Sequence, residues 1–147
     1  MDGSTTQHLQ RAAGHIRLSV NQNRLVDLYQ SGSAKLLMPR TYNDVSEAVL
    51  INTAGGMTGG DKYENHLALK GSKLAVTSQA AERIYKSRHG AAEVSTLLKV
   101  SEKSVLHWIP QETIVYNKSR LSRNIDLHMS SDSECIISES IVLGRHA

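Results

Sequence analysis

A chain of 147 residues with Lys+Arg 17 against Asp+Glu 14 has the length of one domain and a formal net charge of +3. That small excess is scattered rather than gathered into runs of like charge, which excludes a nucleic-acid surface as its main role. Hydrophobic residues make up 39% of the chain and aromatic residues 4%, with no Phe, so the core must come from Leu, Ile, Val and Ala. No apolar run approaches the ~20 residues that cross a bilayer, and the single cysteine, Cys135, excludes an internal disulfide framework. Its expected state is a small buried hydrophobe in a reducing, cytoplasmic compartment.

Residues 1–15 carry no apolar segment followed by a small-residue cleavage site and are expected to form a flexible polar leader, with residues 16–147 as the folded unit. From there, short apolar stretches alternate with Gly, Ser, Asn and Asp, the pattern of an all-β protein. Strands are expected at 16–20, 24–29, 48–53, 64–69, 74–77, 93–100, 105–109, 113–116, 121–129 and 135–143. The clearest is 121–129, where Leu121, Ile125, Leu127 and Met129 share one face and Arg123 interrupts it. The one plausible helix is 78–88, where Gln79, Ala80, Ala81 and Glu82 are good helix formers and Ser78 offers a cap, although the narrow apolar stripe of Ala80, Ala81 and Ile84 is equally consistent with an extended segment.

Three links, Leu69 to Leu74, Val100 to Val105 and Met129 to Cys135, each join two apolar strands through a short polar turn and recur about every 30 residues. Such a recurrence points to stacked hairpin units. The fold class is therefore mainly β, with packed or stacked antiparallel or mixed sheets, solenoid-like or a sandwich, and at most one or two short helices.

The densest chemical feature is the loop from Asn52 to Asp61, in which Gly55 and Gly56, then Gly59 and Gly60, flank Met57 and Thr58. Glycines at this density allow positive φ and close backbone approach. The phosphate-cradle alternative lacks the Lys-Ser or Lys-Thr of a P-loop and the spacing of a dinucleotide fingerprint. Gly55, Gly56, Thr58, Gly59, Gly60 and Asp61 are thus expected to form a structural or partner-facing loop. The seven histidines show no metal-site spacing, and no nucleophile elbow is present. A small β-rich hydrolase using Asp61, Glu82 and Glu112 is the competing reading. Trp108, beside Pro110, reads as a core anchor.

Four segments in register resemble the UreD-type urease accessory family: residues 28–35 (Leu-Tyr-Gln-Ser-Gly-Ser-Ala-Lys), 50–61 around the glycine loop, 77–86 (Thr-Ser-Gln-Ala-Ala-Glu-Arg-Ile-Tyr-Lys) and 106–114 (Leu-His-Trp-Ile-Pro-Gln-Glu-Thr-Ile). A fifth, Leu143 to Ala147, matches the start of a family stretch that continues further. Family members run on for about as many residues again, so the resemblance implies an architecture incomplete at the C-terminus, with unpaired sheet edges there; a nonfunctional fragment is a further alternative. It also implies a non-catalytic chaperone role in nickel insertion into apo-urease with UreF-type and UreG-type partners. Nickel would be bound only transiently, with no tightly held cofactor. Gln79, Glu82, Arg83 and Glu112 are the expected members of a polar nickel path, since an oxygen and nitrogen lining lets a divalent ion move whereas a thiolate cage traps it.

Overall fold

The computed structural model describes residues 10–144, and among them no residue is helical. Two hairpins come first: β1 (Ala13–Asn21) with β2 (Arg24–Gly32), then β3 (Ala34–Leu37) with β4 (Ser46–Asn52). Three coils follow, β5 (Lys62–Lys70), β6 (Lys73–Ser78), β7 (Glu82–Ile84); β8 (Ala92–Ser101), β9 (Val105–Trp108), β10 (Thr113–Val115); and β11 (Leu121–Met129), β12 (Glu134–Ile137), β13 (Ile141–Leu143). Equivalent strands of successive coils pair in parallel, giving three sheets ordered β11-β8-β5-β1-β2, β12-β9-β6-β4-β3 and β13-β10-β7. The hairpins extend the first two sheets, through parallel pairs β1–β5 and β4–β6. This is a solenoid-like stack of mixed sheets.

Parallel register sets like on like. On the first sheet Leu18, Leu67, Leu98 and Leu127 form one rung, and Val20, Leu69, Val100 and Met129 the next. On the second, Leu74 sits beside Leu106 and Leu106 beside Cys135. The buried members of these rungs build the core with Trp108, which is 3% exposed. Each fully buried Leu, Ile or Val side chain stabilises the fold by roughly 1.5–3 kcal/mol through apolar area removed from water. Cys135 is half-buried and packs against this core, and burial pushes its thiol above the ordinary value, as suits a small apolar filler.

The recurring polar turns are the corner between the first and second sheets. Ser72, Ser104 and Ser133 stack there, all buried. Ser72 N–H donates to Ser104 Oγ at 3.1 Å, and Ser104 N–H donates to Ser133 Oγ at 3.2 Å. The Ser104 hydroxyl in turn donates to Ser101 O at 2.6 Å. At the hairpin end, Gln22 and Asn23 take φ of 48° and 57°, the two-residue turn whose twist suits paired strands, and Asn23 N–H donates to Ser72 Oγ at 3.0 Å.

Several expectations are corrected. Of the two readings of 78–88 the extended one holds and the helix is absent: Gln79 N–H donates to Leu50 O, Glu82 N–H to Glu112 O, and Glu82–Ile84 is β7. Lateral bonds to neighbouring coils take the amides that a helix would use, so tertiary pairing overrides the helix propensity of Gln79 to Glu82. The strand at 135–143 is two strands divided at Ser138 to Ser140, where Ser138 N–H bonds Trp108 O and turns the chain. The first strand begins at Ala13, earlier than residue 16, and Ala34–Leu37 is an additional strand. Residues 1–9 of the expected leader and Arg145 to Ala147 lie outside the described residues.

At the far end of the stack, β11, β12 and β13 each pair on one side only. Leu127, Ile137, Ile141 and Leu143 are exposed there, Leu143 to 82%. The expected unpaired edges are present.

The corner serines give a direct test of the stacking. Ser104→Ala removes one acceptor and one donor from a fully buried site and strands the Ser72 amide, so chemical denaturation should show a loss of about 1–3 kcal/mol. A loss within error of zero would mean that the ladder contributes nothing to the corner.

Candidate functional site

Between the three sheets, at the end of the stack where the first-sheet strands begin, lies a cavity of ≈ 250 Å³, far above the ~10–15 Å³ that one water requires. Its position follows from the register. The inward rungs of the first sheet are Leu- and Val-rich towards the strand ends, but towards the strand starts they become Gly14, Tyr63, Val94, Arg123 and then Ile16, Asn65, Thr96, Ile125. Asn65 Nδ2 donates to Thr96 Oγ1 at 3.3 Å. The third sheet contributes Glu82 and, paired with it, Thr113.

Glu82 ends a hydrogen-bonded chain that runs through Asn52 and Tyr63 to Ser33. Asn52 Nδ2 donates to its two carboxylate oxygens at 3.1 and 3.3 Å and to Gly56 O at 3.2 Å. Asn52 Oδ1 accepts from Tyr63 OH at 2.7 Å and from Ala54 N–H at 2.9 Å; Tyr63 OH also meets Ser33 Oγ. Burial, aided by the charges of Glu82 and Asp61, raises the phenol above its ordinary value against the opposing pull of the Ser33 and Asn52 hydrogen bonds. Tyr63 therefore stays protonated and donates to Asn52. Glu82 is also raised, above all by burial, with the Asn52 hydrogen bond, the Arg123 charge and the Arg83 backbone pulling the other way.

A second polar group closes the cavity from the third coil. Arg123 Nη2 donates to Thr113 Oγ1 at 3.0 Å, and Arg123 Nη1 lies 3.4 Å from Glu139 Oε1. That carboxylate also accepts from Trp108 Nε1 at 3.3 Å. Arg123 Nε is buried without a protein partner. Glu82, Glu139, Arg83 and Arg123 are thus the charged residues of a lining that also holds Asn52, Tyr63, Asn65, Thr96 and Thr113 beside apolar side chains.

Of the residues expected on a polar path, Gln79, Glu82 and Arg83 line this cavity. Glu112 does not line it; its carbonyl accepts the Glu82 amide instead. The glycine loop divides. Gly55 and Gly56 line the cavity, and Gly56, at φ 147°, leaves no room for a Cβ, which would lie 2.4 Å from the Tyr85 ring and 2.9 Å from Arg83 O. Met57 follows as a one-residue bridge to Ile84. Thr58, Gly59, Gly60 and Asp61 turn away: Thr58 Oγ1 bonds Lys86 O at 3.0 Å, and a Cβ on Gly59 would strike Ser87 Oγ at 1.9 Å. Asp61, 5% exposed, accepts Ala12 N–H at 2.9 Å and Thr58 N–H at 2.8 Å.

Those bonds bear on the hydrolase alternative. Asp61 spends both oxygens on backbone amides that hold the loop to the start of β1, and Asp61, Glu82 and Glu112 are not gathered into a common group of donor atoms among the described residues. Sequence reasoning also missed Asn52, Tyr63, Thr113 and Glu139. One signal was available: Arg123 breaks the apolar face of β11, and that break is the position where the strand faces the cavity.

The model of the UreD urease accessory protein family matches residues 10–147. A urease accessory protein UreD of Rhizobium leguminosarum bv. viciae is 42% identical, covering 98% of this chain and 54% of that protein. The UreD of Jannaschia sp. strain CCS1 is 41% identical over 100% of this chain and 55% of its own length. A Brucella suis UreD is 42% identical over 99% of this chain and 54% of its own length. The chain spans about half the length of the curated relatives it matches.

The raised Glu82 carboxyl makes stability depend on pH in a defined direction. A folded value above the unfolded one, about 4.3, means that the folded state holds the proton more tightly. This contribution is then full below the unfolded value and is lost as pH rises through the folded value. Glu82→Gln mimics the protonated acid. In urea denaturation series, the variant should gain stability relative to wild type as pH climbs above about 4.3, and a difference that stays flat from acid to neutral pH would refute the assignment.

Proposed function

Because this chain belongs to the UreD family of urease accessory proteins, we propose that it serves urease maturation as a non-catalytic scaffold, helping nickel reach apo-urease in company with UreF-type and UreG-type accessory proteins. The observation that carries this reading is the part-open pocket between the three sheets, with Glu82, Asn52, Tyr63, Thr113, Arg123 and Glu139 among the residues that line it.

A passage for a divalent ion needs donors that are available but weak. Carboxylate, amide and hydroxyl oxygens suit that role, while clustered thiolates or imidazoles would hold a nickel ion too tightly to release it. The lining here contains neither Cys nor His. Glu82 and Glu139 supply carboxylate donors, and Arg83 and Arg123 balance their charge, so that a cation would meet no deep well. Gln79 and Arg83 stand at the β6–β7 side of the same space. The glycine loop packs against Tyr85 and Ser87; Asn52 at its start joins the chain to Glu82, and Asp61 at its end ties the loop to Ala12 and Thr58. Among the described residues no helix is long and apolar enough to cross a membrane; a cytoplasmic place of action is part of the proposal.

Reconstituted urease activation tests this reading. Glu82→Ala should leave co-purification with the UreF-type partner and apo-urease intact and reduce nickel-dependent activation on the order of tenfold, the scale seen when a residue supporting a metal site is removed. Full activation by the variant would contradict the proposal, and so would an intrinsic hydrolytic activity of this chain that Glu82→Ala abolishes.

A further inference from the structure

The outer face of the first sheet carries a separate feature. The parallel register of β1 and β5 sets His15 beside Glu64 and Arg17 beside His66. Inward-facing Ile16 and Asn65 alternate with these residues, so the sheet itself lies between them and the cavity. His15, Glu64 and His66 place one donor atom each within 4.8 Å of the other two, and they are the one such group of three His, Cys, Asp or Glu among the described residues.

We propose that His15, Glu64 and His66 form a surface site for a divalent first-row transition ion of the Co²⁺-to-Zn²⁺ class, pinning the N-terminal hairpin to the first coil. Two imidazoles and one carboxylate are a donor set that such ions favour, and three protein ligands leave a position for water. With metal–donor bonds of about 2.0–2.2 Å, tetrahedral donors sit roughly 3.3 Å apart. Side-chain rotation closes the remaining gap, since Glu64 is exposed and both imidazoles are only half-buried.

The second observation is the state of His15. Its Nε2 is shut off from solvent and has no hydrogen-bond partner, although a buried imidazole nitrogen ordinarily finds one. The ring is held edge-on between Tyr29, at 5.4 Å between centroids, and His66, at 5.1 Å, so it is already oriented. Neither cation beside Glu64 is paired with it: the Arg17 guanidinium donates to Asp27 Oδ2 at 2.7 Å and lies 5.3 Å from the Tyr29 ring centre, and Lys62 Nζ lies 3.3 Å from Glu93. Because the ligands come from β1 and β5, an ion here crosslinks the hairpin to the coil, and binding to the folded state alone raises apparent stability.

The test uses the tag-free chain, stripped with chelator, with Co²⁺ alone read by its visible absorption and Zn²⁺ alone read by competition with a chromogenic chelator. A single saturable site is expected for each ion, with His15→Gln and His66→Gln each weakening it at least about tenfold and Glu64→Gln weakening it less. His107→Gln, on the second sheet, should bind as wild type. Zn²⁺ should raise Tm in wild type and not in His66→Gln, which separates lost binding from lost folding. Wild-type binding that survives the paired His15→Gln/His66→Gln change, or that falls equally in His107→Gln, would overturn the site.

Discussion

Lateral hydrogen bonding between parallel coils is the constraint on which the rest of this structure depends. Once Lys62 is set against Glu93, and Ala92 against Leu121, every later residue of a coil lies beside its counterpart in the coil before. Side-chain direction then has period 2 along each strand, so an inward position in one coil is inward in all of them. The aliphatic rungs, the serine corner and the polar cavity are three results of the same register.

The register also accounts for the contrast inside the solenoid. Where Leu stacks on Leu, the space fills to ordinary core density. Where Tyr63, Asn65, Thr96 and Arg123 take the inward positions, polar groups and charge enter the interior and line the pocket. Burial of such groups is tolerated because nearly all are paired: Glu82 by Asn52, Asn52 by Tyr63, Arg123 by Thr113 and Glu139. Arg123 Nε has no protein partner, and Arg123 lines the pocket between the sheets. Contributions come from all three coils, Glu82 from the first, Thr113 from the second, Arg123 and Glu139 from the third, so the site is a property of the stack and not of any one segment.

The sequence disclosed the parts of this that are local. Alternation along 121–129 marked a strand, the polar turns near Ser72, Ser104 and Ser133 marked the repeat, and the break at Arg123 marked where the interior changes character. The glycine loop was visible as a close-packed turn, and Gly56 and Gly59 show the contacts that require it. What was not legible depends on pairing between distant residues. Ser78 to Arg88 has helix-forming composition, yet its amides are taken by Leu50, Glu112 and other neighbours that no local pattern names. Glu139 lies in what read as one continuous strand, and its meeting with Arg123 and Trp108 depends on the corner that divides it. His15, Glu64 and His66 had no metal-site spacing because the β1–β5 register, and not sequence separation, brings them together.

The central proposal is that urease maturation uses the part-open pocket between the sheets and not merely the outer surface. Ala81, on the link between β6 and β7, lines that space without taking part in its hydrogen-bonded chains. Ala81→Trp would fill it with an apolar ring. The decisive measurement is nickel-dependent urease activation by this variant, alongside its thermal melting and its co-purification with apo-urease. The account predicts a folded protein that still binds its partners and activates urease poorly; a folded, partner-bound variant that activates as well as wild type would contradict it.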